Sequence, residues 1–350
     1  MTRRRTGRAQ AWAELLRVSA LFSVPGDALA GAAAAGVRPG RGTLCAIGAS
    51  LCLYEAGMAL NDWADRAEDA AERPHRPLPS GRIAPSAALA ASAALTAAGL
   101  ALASRAGRPP LAVATALAAT VWAYDLGLKH TPAGPATMAT ARALDLLLGA
   151  TASTGGNRRT HHRAVHALPS AALLGAHTYA VTAVSRHETQ GGSTRTPLAA
   201  LAVTLAVAGT ASGEVLGARP ATTVSTPSGP PAPHPHPALP SGRTLPSNRP
   251  LPPSRPLPSR PPRPSRRSVP SRGLGSLLAL AYARTPATLL LHAALNPSAA
   301  LTERAVGGGI RATIPLQAAL AARAGAPGTA LALLGLVPAA RALARKVSPT

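Results

Sequence analysis

The sequence predicts an all-α fold, a polytopic membrane helix bundle of about eight to nine transmembrane helices with one disordered insert. Three observations predict it. Apolar runs of about 18 residues or more, the length that crosses a bilayer, recur along the chain. Of 350 residues, 47% are hydrophobic and only 14% are charged. The excess of 36 Lys+Arg over 13 Asp+Glu, a net +23, is concentrated in one tract and in the segments between the runs. Such a charge balance is also found in nucleic-acid-binding proteins. With 2% aromatic residues there is little to stack on bases, so nucleic acid is excluded as a partner, and a basic rim facing anionic membrane lipids is expected instead.

Residues 1–10, MTRRRTGRAQ, form a basic tail. The apolar run at 11–35 is longer than a signal-peptide core, so it is expected to be kept as the first span with its Arg-rich end in the cytoplasm. The second span, 43–60, then returns the chain to the cytoplasmic face. Cys45 and Cys52 lie in it seven residues apart, about 10 Å of rise, too far for a disulfide. Further spans follow at 84–104, 110–124 (short), 134–153, 164–184 and 196–217. Many are alanine-rich, which favours helix and lets helices approach closely.

From Arg219 to Arg272 the composition turns to Pro, Ser and Arg with no acidic residue, as in PLPSRPPRPSRRSVPSR. No packed core can form there, and a disordered linker at 219–272 is expected between membrane parts at 11–218 and 273–345. Its PxxP repeats have the form that partner grooves bind, or are low-complexity drift. Seven crossings put this basic linker outside, which runs against the positive-inside rule, as does NRRTHHRAVH at 157–166. The last spans are 274–295 and 326–343, and 310–325 is expected as an interfacial helix or part of the last span.

The chemistry concentrates at Asn61–Ile83, NDWADRAEDAAERPHRPLPSGRI. Asp62, Asp65 and Asp69 are three and four residues apart, so on a helix they share one face over about 10 Å. Like charges at this spacing destabilise a helix by a few tenths of a kcal/mol per pair, and a bound cation reverses the sign. Mg2+ takes oxygen ligands, commonly one or two carboxylates together with substrate phosphates. Asn61 can add a carbonyl ligand or a hydrogen bond. Arg73 and Arg76 offer forked donors to phosphate oxygens. Pro74, Pro77 and Pro79 end the helix and make the segment a structured loop.

This segment resembles, almost residue for residue, the first aspartate-rich motif of the UbiA superfamily of intramembrane prenyltransferases, NDxxDxxxD followed by RPxRPLPSGxI. The resemblance implies an all-helical membrane body that binds a prenyl diphosphate through Mg2+ and passes the prenyl group to a lipophilic or aromatic acceptor. It implies metal binding by Asp62, Asp65 and Asp69, and diphosphate contacts from Asn61, Arg73 and Arg76. The family carries a YD…K element ahead of its fifth span, and Tyr124, Asp125 and Lys129 match it. Lys129 meets phosphate as a point charge and Tyr124 offers a hydroxyl; otherwise they are an interfacial anchor. Arg142 and Asp145, three apart inside a span, either pair with each other or, as the resemblance implies for Arg142, face the diphosphate.

The family's second aspartate-rich motif falls at TAVSRHETQGGSTRT, where the aspartates are missing and Glu188 is the sole carboxylate. Glu188 is the remaining candidate metal ligand and Arg186 a diphosphate contact, while His187 acts as acid or base or caps the loop. The SRHExxGG form is similar to the EboC-like branch of the superfamily. The expected function is a Mg2+-dependent prenyltransferase in which Asp62, Asp65, Lys129 and Glu188 carry catalysis, in a bacterial-type plasma membrane with the site facing the cytoplasm. The alternatives are a non-catalytic isoprenoid-binding or precursor-transport protein of the same body, and a membrane scaffold recruiting partners through the Pro/Arg tract.

Overall fold

The computed structural model describes residues 2–17, 21, 23–155, 158–188, 192–213 and 271–347, and these are helical without a strand. The expected linker at 219–272 lies outside them, apart from Ser271 and Arg272 at the start of a helix. The order is α1 (Thr2–Leu15), α2 (Val24–Ala34), α3 (Arg41–Ala64), α4 (Arg66–Glu72), α5 (Pro85–Ala106), α6 (Arg108–Ala123), a π-helical turn (Tyr124–Leu128), α7 (Gly134–Ser153), α8 (Arg158–Val165), α9 (Leu168–Ser185), α10 (Arg195–Ser212), α11 (Ser271–Leu295), α12 (Ala299–Arg323) and α13 (Pro327–Val347). Several helices begin with proline in the first turn, where its missing N–H leaves no bond unmade.

Among the described residues, five stretches are long and apolar enough to cross a membrane: Arg41–Ala64, Pro85–Ala106, Arg108–Leu128, His162–Ser185 and Gly273–Leu295. They make the chain a multi-pass membrane protein. Three expected elements are corrected. The run 11–35 is two helices, because the chain turns at Arg17, whose φ of 47° is left-handed, and restarts at Val24–Pro25. The short fourth span reaches 21 residues because the π turn extends α6. Residues 310–325 belong neither to an interfacial helix nor to the last span: 310–323 form the second half of the 25-residue α12, where Ala318 to Ala321 are wholly buried, and Ala324 and Gly325 make the turn that ends it.

Two packing groups arrange the bundle. In one, α3 lies along α5, and α7 rests on α2, α3 and α6; in the other, α12 packs on α9, α11 and α13 and reaches back to α2. Alanines dominate both cores, so the helices must approach closely to touch at all. At the α2–α7 crossing two glycines permit it. A Cβ on Gly31 would stand 2.1 Å from the Leu146 carbonyl oxygen, and one on Gly149 would stand 2.3 Å from the Ala28 Cα. The start of α3 is pinned to the end of α7 by Thr43 Oγ1 and Ser153 Oγ, 2.7 Å apart. This register places the faces of α3, α6 and α7 around one cavity.

Candidate active site

The cavity holds about 290 Å³ between α3, α6 and α7. On α3 it is lined by Ser50, Leu53, Tyr54, Gly57, Met58 and Asn61, the three-and-four spacing of one helical face. Its walls are apolar, with Leu53, Leu117, Val121 and Met138 among them, and polar groups gather at its two ends.

At one end stands the aspartate motif. α3 carries Asn61 and Asp62, the chain turns at Asp65 with ψ near 4°, and α4 carries Asp69. The expected single helix face is therefore bent at its centre, although Asp65 N–H still donates to Asn61 O and Asp69 N–H to Asp65 O. Asp62 and Asp69 turn inward and are 5% and 2% exposed. Arg76 Nη1 is 2.7 Å from Asp69 Oδ2 and 3.7 Å from Asp62 Oδ1. Arg73 Nη1 stands 3.5 Å from Asp69 Oδ1. Arg17, in the turn after α1, reaches Asp62 Oδ1 at 3.2 Å and also lines the cavity.

Asp65 takes a different partner, the ammonium of Lys129. Lys129 reaches it because the π turn holds Lys129 N–H on Tyr124 O and adds a residue to the helical repeat. The same turn brings Tyr124 and Asp125 to the cavity wall, where Asn61 Nδ2 donates to Asp125 Oδ1 at 3.2 Å. Beside Asp65, Glu68 and His130 offer ligand atoms that lie with its own within 4.8 Å of one another. Carboxylate and amide oxygens dominate this end, a donor set that fits Mg2+.

The loop after α9 comes to the same end. Arg186 donates to the Thr131 carbonyl in the loop ahead of α7, and His187 Nε2 lies 3.3 Å from Thr196 Oγ1. Burial, and then the Glu303 carboxylate, push Glu188 above the ordinary carboxylate range, while the Arg73 guanidinium pulls it back. Glu188 is thus within electrostatic reach of the aspartate motif through Arg73, yet it is not among the clustered ligand atoms of Asp65, Glu68 and His130.

The other end is a buried polar floor. Ser50 Oγ donates to Asp145 Oδ1 at 2.5 Å. Arg142 Nε stands 3.1 Å from Asp27 Oδ2, and Gln317 Nε2 donates to Asp27 Oδ1 at 2.7 Å. Arg142 and Asp145 therefore take partners on other helices rather than each other. Sequence reasoning missed Arg17, Asp27, Ser50 and Gln317. Arg17 and Asp27 are charges inside an apolar run, which is the signal that marks such groups as functional; Ser50 and Gln317 carry no such signal.

A family model described as the UbiA prenyltransferase family matches residues 20–221. The chain is 34% identical over 128 residues to a digeranylgeranylglyceryl phosphate synthase of Methanopyrus kandleri, covering 35% of this chain and 45% of that protein. It is 32% identical over 149 residues to the synthase of the same name from Korarchaeum cryptofilum, covering 42% and 53%. The chain thus spans about half the length of the curated relatives it matches. A solved structure concerned with digeranylgeranylglyceryl phosphate synthase in membranes is similar with a TM-score of 0.56 at 14% identity, covering 91% of this chain and 98% of that one. The apo structure of a UbiA homolog from Aeropyrum pernix K1 is similar with a TM-score of 0.54 at 14% identity, covering 90% and 96%. These two likenesses are likenesses of fold.

Proposed function

The chain belongs to the UbiA prenyltransferase family, and from that premise we propose that it moves an isoprenyl group from a prenyl diphosphate to a lipophilic acceptor inside the membrane, with Mg2+ as cofactor. The observation that carries this reading is the juxtaposition of carboxylates and cations with an apolar cavity. Asp62, Asp65, Asp69 and four basic side chains meet where that cavity also presents Asn61 and Asp125. A prenyl diphosphate has the same two parts, one anionic and one hydrocarbon.

Asp62, Asp65 and Asp69 would hold the metal, with Asn61 beside them and Glu188 as the candidate from the second loop. When bound, Mg2+ neutralises diphosphate charge and favours its departure. Arg17, Arg73, Arg76 and Lys129 are held on the carboxylates and stand within reach of an incoming diphosphate, to which they offer charge-assisted bonds. These cations stabilise the charge that grows on the leaving group as the carbon–oxygen bond breaks. The apolar walls keep water from the allylic carbon. Tyr124 and Arg186 border this end as further diphosphate contacts. The EboC-like resemblance rests on the SRHE loop alone.

The cytoplasmic orientation is part of the same reading. Arg82 bonds both carboxylate oxygens of Glu14, at 2.7 and 3.1 Å, which ties α1 and its run of arginines to the motif loop. By the positive-inside rule that end faces the cytoplasm. The reading is tested with membranes containing the chain, radiolabelled prenyl diphosphates of several lengths and extracted lipids as acceptors. Label should pass into lipid, and Asp62→Ala or Asp65→Ala should abolish the transfer; unchanged rates in both variants sink the mechanism. A non-catalytic isoprenoid-binding role has one observation in its favour, the single carboxylate in the second loop. It predicts that Glu188→Ala binds and releases prenyl diphosphate as the parent does, whereas the transferase reading predicts lost turnover.

A further inference from the structure

We propose that the floor of the cavity is the acceptor's anchoring site, and that it selects an uncharged, hydroxyl-bearing lipophile over an anionic one. This inference rests on the transferase reading and names the acceptor class for the same cavity.

The floor is distant from the diphosphate end. Ser50, bonded to Asp145, lies eleven residues from Asn61 on α3, about 16 Å along the helix. Arg142 is one turn nearer, about 4–5 Å. Both lie toward the end of the cavity away from the aspartate motif, which places Arg142 on the acceptor's side. A closed apolar end needs no charge, and buried ions inside a membrane bundle are costly unless they bind something. Both Arg142 and Asp145 face the cavity.

The polar inventory defines the ligand. Asp27, itself held by Gln317, stands behind Arg142 as an ion pair at its Nε, and among the described residues the Nη groups of Arg142 have no acceptor. Arg142 lines the cavity, so those donors are open to a ligand oxygen. Asp145 accepts from Ser50 and has lone pairs left for one more donor. Asp27 and Asp145 are both buried at this floor, which so holds two carboxyl groups to one guanidinium. A carboxylate or phosphate arriving there meets Asp145 and is repelled. A hydroxyl satisfies both partners, accepting from Arg142 and donating to Asp145, and brings no charge. The apolar walls between floor and mouth take the rest of the acceptor.

The test uses the full chain in lipid nanodiscs with 2-naphthol and 2-naphthoate, a matched pair differing in the group offered to the floor. Binding is read from the probes' fluorescence. Naphthol should bind about tenfold more tightly than naphthoate, the scale of one satisfied hydrogen bond. Asp145→Asn, which keeps shape and removes the negative charge, should improve naphthoate binding and collapse or reverse that ratio. Mg2+-dependent binding of farnesyl diphosphate to Asp145→Asn should stay at the parental level, which shows the variant folded. A parent that binds no naphthol or prefers naphthoate overturns the proposal, as does a ratio that Asp145→Asn leaves unmoved. Failure of farnesyl diphosphate to bind the parent strikes the transferase reading instead, and the naphthol arm reports on the floor separately.

Discussion

At the scale of single residues, the aspartate motif is where sequence spoke most directly. Asp62, Asp65 and Asp69 carry their chemistry in their spacing, and the arginines behind them follow within a few residues. The cations that complete the cluster come from elsewhere in the chain. Arg17 joins Asp62 across 45 residues, and Lys129 joins Asp65 across 64. A resemblance pointed to Lys129, whereas the one local sign at Arg17 was a charge inside an apolar run, which did not name Asp62 as its partner. Replacing Arg17 with Ala should raise the apparent KM for the prenyl diphosphate by about 10- to 100-fold, the loss of one charge-assisted bond; steady-state kinetics against donor concentration decide it. Glu188 gives a pH prediction. Burial and Glu303 raise its folded value, so the folded state is favoured while it is protonated and loses that advantage as pH rises past the ordinary carboxylate range near 4.5. Glu188→Gln should therefore raise the melting temperature at about pH 7.5 more than at about pH 4, where the carboxyl is mostly protonated in both states. Equal shifts at the two pH values would contradict the assignment.

At the scale of elements, hydropathy found where apolar chain lies and missed where it breaks. The window over 11–35 averaged across Arg17 and Pro25, and the break between α1 and α2 is what delivers Arg17 to the cavity. α12 was misread for the opposite reason. Glu303, Arg304 and Arg311 depress its hydropathy, while Leu316 to Ala321 form one of the most buried stretches of the bundle. The π turn after α6 is invisible to periodicity, because one added residue leaves the apolar pattern intact while it re-aims Asp125 and Lys129. Helix contact supplies a prediction of its own. Gly149→Val puts carbon where the α2 backbone already stands, and overpacking of this kind costs about 1–3 kcal/mol or more. Gly36→Ala would meet no neighbour but has φ of 67°, so it should cost less, about 1 kcal/mol. Thermal unfolding in detergent should rank Gly149→Val as the more damaging change; the reverse order would mean that α2 and α7 do not meet as closely as described.

At the scale of the whole molecule, the all-helical membrane bundle was legible from composition and serial apolar runs, and membership of the family from one 23-residue segment. The assembly of the cavity was not legible, because it depends on which faces of α3, α6 and α7 meet, and alanine-rich helices offer several faces of similar polarity. The floor shows this plainly. Asp27, Asp145, Ser50 and Gln317 lie on four helices, and no sequence spacing connects them. The central claim is that carboxylates at the cavity end recruit Mg2+ and through it a prenyl diphosphate. It is tested most directly by measuring pyrophosphate release from a labelled prenyl diphosphate by the purified chain in liposomes, first in Mg2+ and then after EDTA. The account predicts release in Mg2+, its arrest by the chelator and its recovery when Mg2+ is restored. Release that continues undiminished in EDTA would contradict it.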